Sequence, residues 1–147
     1  MENLKHERLT GQIIGAFFRV YGTLSYGFLE RVYENALLIE LQGMGLQVAN
    51  QQPIEVYYQA RLVGSYFADL VVNGEVVIEL KAAEGIVEAH EAQVLNYLKA
   101  TSIEVGLLLN FGPKPQFRRK IFSNERKRLA FGTRSTRMRQ NDTGKPK

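Results

Sequence analysis

Residues 65–81 read S-Y-F-A-D-L-V-V-N-G-E-V-V-I-E-L-K, two apolar segments joined at Asn73-Gly74. β-Branched and aromatic residues dominate both segments, which predicts a pair of antiparallel strands. Asp69, Glu79 and Lys81 nevertheless fall inside them. Acidic residues are depleted in strands, and a charge turned toward a core is costly unless it is paired or bound to a cation. The stretch therefore predicts a sheet and marks a site on it.

Strand alternation puts Glu79 and Lys81 on one face with Val77, and Asp69 on one face with Phe67 and Val71. Whether Asp69 meets Glu79 depends on the turn. A two-residue turn pairs Val72 with Glu75 and sends the two acids to opposite faces. A three-residue loop, Val72-Asn73-Gly74, pairs Val71 with Glu75 and Asp69 with Val77, so the acids become diagonal neighbours. Such neighbours, about 7 to 8 Å apart, can converge on one ion. The metal-site reading requires this bulged register, with Gly74 left-handed. The competing reading is a surface ion pair between Glu79 and Lys81.

Outward from the hairpin, Leu9, Ile13, Ile14, Phe17 and Phe18 recur at helical spacing and predict a helix of about four turns. A second helix carries Leu29, Tyr33, Ala36, Leu37 and Leu41 on one face until Gly43 and Gly45 end it. Strands are predicted over 47–50, 54–59 and 62–72, with Ala60-Arg61 as a turn, and over 75–81. A third helix spans 86–100. The continuous apolar run Val105 to Phe111 is too short for a typical helix and reads as a strand buried on both faces. An edge strand follows over 116–123. The order describes one α/β (α+β) domain, residues 1–123, with a mixed central sheet flanked by helices.

Composition is that of a globular protein, 45% hydrophobic and 23% charged. No run of about 18 apolar residues predicts a membrane span, and no secretory signal is visible, so the expected location is cytoplasmic. With no cysteine, disulfides and thiolate metal sites are excluded. The charge is uneven: residues 1–112 hold 7 Lys and Arg against 13 Asp and Glu, a net of −6, whereas residues 113–147 hold 12 against 2, a net of +10. The segment 124–147 reads as a basic, disordered tail. Arg118, Arg119 and Lys120 of the edge strand, with Arg126, Lys127 and Arg128 of the tail, are candidate contacts to nucleic-acid phosphates; solvated charge is the plainer alternative.

Two converging carboxylates need a cation between them, and oxygen ligands suit Mg²⁺ or Mn²⁺. Lys81 would hold its ammonium beside that ion, placed to orient a water molecule or stabilise phosphoryl oxygens. Glu30 falls within about 20° of Leu37 and Leu41 on the helical wheel. It is either a third acidic ligand or, with Gly27 as N-cap, a residue that caps its helix. On the third helix His90, Gln93 and Tyr97 form a polar stripe; Gln93 could orient water or a base edge, and Tyr97 could touch a phosphate or stack on a base, while ordinary amphipathicity with a solvated His90 explains the stripe equally well.

Together these residues resemble a known signature. Asp69 followed by Glu79-Leu80-Lys81 resembles the D…E-x-K pattern of the PD-(D/E)XK nuclease superfamily, and Gln93 to Tyr97 resembles the Q-x-x-x-Y helix motif of its RecB-like branch. Gly27-Phe28-Leu29-Glu30-Arg31-Val32-Tyr33 is similar to the motif that names the GxxExxY family. The resemblance covers residues 8–122. It implies a restriction-endonuclease-like core and a magnesium-dependent nuclease site acting on nucleic acid, with DNA the expected substrate. Asp69, Glu79 and Glu30 would be the metal-binding acids, Lys81 the catalytic lysine, and Gln93 and Tyr97 its supporting helix residues. Ala68 stands where the superfamily has Pro, a position without a chemical role in this scheme. The alternative is a nucleic-acid-binding or assembly subunit with a vestigial site, in which the strand 105–111 and the first helix form a homo-oligomer interface.

Overall fold

The structure is a computed structural model and describes residues 6–131, the last four of them as backbone only. The elements run α1 (Glu7–Leu24), α2 (Glu30–Gly43), β1 (Val48–Tyr58), β2 (Arg61–Val72), β3 (Val76–Lys81), α3 (Glu88–Ala100), β4 (Val105–Phe111), β5 (Pro115–Ile121) and α4 (Asn124–Phe131). The strands form one sheet in sequence order. Every neighbouring pair is antiparallel except β3 and β4, whose parallel pairing requires the α3 crossover.

Strand alternation divides the core into two layers. Leu70, Val72, Val76, Ile78, Leu80, Leu107 and Leu109 pack against Ile13 and Phe17 of α1 and Leu37 and Leu41 of α2. Val71 and Val77 face the other way, toward Tyr97 and Leu98 of α3. All seven residues of β4 are buried, as its apolar run predicts for a strand covered on both faces. With β3 on one edge and β5 on the other, that strand is not an oligomer interface. α3 lies close over it because position 106 is Gly: a Cβ there would meet Val94 Cγ1 at 2.6 Å.

The β2–β3 turn departs from both sequence-based registers. Its loop is Asn73-Gly74-Glu75, and the ladder pairs Val72 with Val76, Val71 with Val77 and Leu70 with Ile78. Asn73 and Gly74 are both left-handed, with φ of 53° and 66°, and Glu75 N–H donates to Val72 O at 2.9 Å. Gln47 fixes the shift. Asn73 N–H donates to Gln47 O at 2.7 Å, and Asn73 Oδ1 accepts Gln47 N–H at 2.9 Å. The bulge is therefore at Glu75. Continued by one residue, this register sets Asp69 directly opposite Glu79 on the α3 face, instead of diagonal to it.

Three smaller expectations also change. Gln59 and Ala60, at φ of 50° and 66°, make the β1–β2 turn, one residue earlier than expected. The two short strands expected over 47–59 are one strand, β1, irregular at Gln51. Residues 124–131 form α4 instead of starting a disordered tail, because Lys127 inserts its ammonium beneath the α3–β4 loop. Among the described residues no helix is long and apolar enough to cross a membrane.

Candidate active site

Beyond Leu70 the β2 and β3 backbones part, and the side chain of Asp69 occupies the gap. Its Oδ2 accepts Leu80 N–H at 2.8 Å, and its Oδ1 lies 3.5 Å from the donating amide nitrogen of Gln51. Burial raises the Asp69 pKa; the Leu80 N–H, the Gln51 amide and the Lys81 ammonium oppose the rise. Lys81 Nζ stands 3.9 Å from Glu79 Oε2, a long contact for an ion pair.

Glu79 is only 5% exposed, and its Oε1 is, among the described residues, the one buried side-chain oxygen or nitrogen without a hydrogen-bond partner. Desolvation, then the Asp69 carboxylate, pushes its pKa up to about 8, against the pull of Lys81. A buried carboxylate of this kind either keeps a proton or receives a cation. The surface ion pair considered from the sequence does not describe it.

Glu30 begins α2, and Leu29, not Gly27, is the N-cap. No side chain caps this helix, so of the capping alternative only the favourable place of Glu30 in the first turn, toward the positive end of the helix dipole, remains. Its exposed carboxyl is raised in pKa by desolvation, then by Asp69, with Lys81 opposing. Tyr33 holds that end of α2 in place. Its hydroxyl donates to Ser25 O at 2.6 Å and accepts Phe28 N–H at 3.2 Å, while its ring stacks on Phe111 at 4.4 Å. Gly27, at φ of 120°, makes the loop that Tyr33 closes.

On α3, Gln93 Nε2 donates to Tyr97 Oη at 3.0 Å, and that hydroxyl donates to Phe67 O at 3.3 Å. Tyr97 is 2% exposed and meets Tyr66 edge-on at 5.4 Å, so its ring and hydroxyl are not available to a phosphate or base. Burial, then Glu79, pushes its pKa up to about 12. It ties α3 to β2. His90 Nδ1 accepts Val87 N–H at 3.2 Å and so caps α3. Desolvation, followed by Lys81, lowers its pKa, which suits a neutral imidazole as acceptor.

Three participants were not singled out in the sequence. Glu34, one turn after Glu30, is 5% exposed and accepts the Gln51 amide at 2.8 Å. Its signal was an acid at i, i+3, i+7 with Leu37 and Leu41. Gln51 itself carried no signal. Asn110, fully buried, was the one polar residue in an apolar run; its Nδ2 donates to Ala83 O at 3.0 Å and its Oδ1 accepts Ala83 N–H at 2.9 Å. This clasp fixes the chain just past Lys81, and a Cβ at Gly112 would lie 2.1 Å from Ala83 O.

The basic residues separate. Arg118 and Lys120 both reach Glu91 of α3, at 3.6 and 2.5 Å, and Lys120 holds the Glu91 pKa down. Arg119 turns to Thr10 of α1, its Nε 3.4 Å from Oγ1. Arg126 lies 4.6 Å over the Phe122 ring. Lys127 is buried, donating to Thr101 O and Ile103 O at 2.7 Å each, and is removed from the expected phosphate contacts. The side chain of Arg128 and residues 132–147 lie outside the described residues. A separate cavity of about 590 Å³, bordered by Val48, Pro53, Val71 and Ser102, includes none of the acids.

The acids do not form a ready-made cage: among the described residues no three acidic or histidine side chains converge as a metal-ligand group. The donor set nonetheless fits a hard cation that retains several waters, with Glu79 Oε1 as an unsatisfied buried oxygen beside Asp69. A mixed five-stranded sheet with two acids and a lysine where its central strands part defines a restriction-endonuclease-like α+β protein. The chain belongs to the PD-(D/E)XK nuclease superfamily, whose family model matches residues 7–120. A solved structure, described as the crystal structure of SSO0001, superposes with a TM-score of 0.53 at 18% identity, over 86% of this chain and 66% of that one. That likeness is one of fold, and the chain spans just under two thirds of the length of that protein. No curated protein matches the sequence.

Proposed function

We propose that the protein is a Mg²⁺- or Mn²⁺-dependent nuclease of the GxxExxY type that hydrolyses phosphodiester bonds in nucleic acid, DNA being the expected substrate. The observation that carries this reading is Glu79 Oε1, buried and unpartnered, on a carboxyl whose pKa is pushed up to about 8 beside Asp69. Asp69 and Glu79 would hold the cation and Glu30 would complete the acidic rim. When bound, the cation supplies Lewis-acid stabilisation of charge on phosphoryl oxygens.

The chain's own residues supply the rest. The Lys81 ammonium, partly exposed and two residues before the Ala83 that Asn110 clasps, orients a water oxygen toward the phosphorus. As that oxygen forms its P–O bond it releases a proton to solvent, the opposite ester bond breaks, and the departing oxygen takes up a proton from solvent. Gln93 and Tyr97 keep β2 and α3 together beside it.

Incubation with linear, circular and single-stranded DNA and RNA, with and without Mn²⁺, tests the reading. Cleavage that requires Mn²⁺ and disappears in Lys81→Ala is expected. Cleavage that persists in both Lys81→Ala and Asp69→Asn would overturn the residue assignment.

A further inference from the structure

Gln51 interrupts β1. Its φ is 53°, in the left-handed region that a residue with a side chain enters at a cost. The ladder pairs Asn50 with Leu70 and Gln52 with Ala68, but Gln51 and the residue facing it, Asp69, make no ladder pair. A glutamine in the interior of a long strand gains nothing from this by itself. What the break provides is the position of the side chain, whose single amide nitrogen lies 2.8 Å from Glu34 Oε2 and 3.5 Å from Asp69 Oδ1.

An amide nitrogen carries two hydrogens, enough to donate to a carboxylate from each of two elements, and Glu34 and Asp69 are the two within reach. Glu34 is buried, and Arg31 Nε lies 3.6 Å from its other oxygen, Oε1. Asp69 is held at Oδ2 by Leu80 N–H at 2.8 Å, and the Gln51 amide lies 3.5 Å from its other oxygen, Oδ1. Through Glu34 the same nitrogen connects that carboxylate to α2, the helix that carries Glu30.

We propose that Gln51 is a positioning residue: its amide ties Asp69 to buried Glu34, setting the Asp69 carboxylate at the angle from which it meets a divalent cation. This inference rests on the metal-site reading above. The groups that orient metal ligands typically govern affinity by about 10- to 100-fold.

The test is calorimetric titration of Mn²⁺, without substrate, into wild type, Gln51→Met, Gln51→Gly, Glu34→Gln and the Gln51→Met/Glu34→Gln double variant. Met keeps the length and removes the donors; Gly removes the side chain and tolerates the left-handed backbone. Both Gln51 variants should bind Mn²⁺ about tenfold more weakly or worse at unchanged stoichiometry. A merely structural part would reduce the number of competent sites and leave the affinity of the remainder intact. The double variant should lose less than the two single losses combined. Wild-type affinity in Gln51→Gly, or strictly additive losses, would overturn the inference and leave the metal site standing. Absence of Mn²⁺ binding by the wild type would overturn the metal-site reading, and this inference with it.

Discussion

Asp69 Oδ2 and Leu80 N–H are joined at 2.8 Å where the β2–β3 ladder ends, so the first acid of the site also satisfies a backbone donor of the strand carrying the second. Asp69→Ala consequently does two things at once. It removes a carboxylate and leaves that N–H unpaired, at a cost of roughly 1–3 kcal/mol in urea unfolding. Asp69→Asn retains an acceptor and should unfold near the wild-type midpoint while losing Mn²⁺ affinity. Equal destabilisation by both substitutions would show that the Leu80 bond contributes nothing.

Glu79 gives a pH dependence with a definite sign. Its folded pKa of about 8 lies above the ordinary 4.5, so its contribution to stability is complete below about pH 4.5 and is lost as pH rises through about 8. In metal-free buffer Glu79→Gln should melt with the wild type near pH 5, then exceed it by roughly 5 °C near pH 9. Thermal melts across that range in the presence of a chelator measure it; a constant difference would refute the raised pKa.

The same pKa predicts proton release on metal binding. At neutral pH the neutral form of Glu79 predominates, and a cation must displace its proton. Mn²⁺ titrations in buffers of different ionisation enthalpy should therefore give different apparent enthalpies, corresponding to about one proton per ion near pH 7. Glu79→Gln should abolish most of that difference.

Asn110 and Gly112 support Lys81 from behind. Asn110→Ala strands both the N–H and the C=O of Ala83 and should cost roughly 3 kcal/mol. Gly112→Ala forces a Cβ to within 2.1 Å of Ala83 O, so the backbone after Lys81 must move. Denaturant unfolding measures the first, and loss of Mn²⁺-dependent cleavage exceeding the loss of stability marks the second.

Lys127 and the residues after 131 should behave differently. Lys127→Met leaves two carbonyls unpartnered and should lower Tm, without altering the salt dependence of nucleic-acid binding. Removing residues 132–147, which include five Lys and Arg, should reduce the slope of log K against log salt.

Much of this was legible in the chain. The alternation of 65–81 and the apolar run 105–111 gave the sheet, because strand periodicity is local and strong. Asp69, Glu79 and Lys81 stood out because each broke that pattern. The register was misread because its decisive contact, Gln47 with Asn73, spans 26 residues and has no local signature. Gln51 was invisible for a related reason: its left-handed backbone is not announced by Gly or Asn, and its partners Glu34 and Asp69 lie on other elements. Lys127 looked like tail charge because nothing in a basic run shows which cation turns inward.

The parallel pairing of β3 with β4 carries a consequence for the order in which the molecule assembles. The β2–β3 hairpin joins through only three ladder pairs, whereas β3 closes on β4 after the whole excursion through α3. Pairings of that separation form late, because chain closure must precede any gain from contact. Glu79, in register with Leu108 of β4, reaches its buried setting only with that closure. Its affinity for a proton or a cation is thus acquired only with closure of the crossover, so a chain still emerging from synthesis has the sequence of the site without its chemistry.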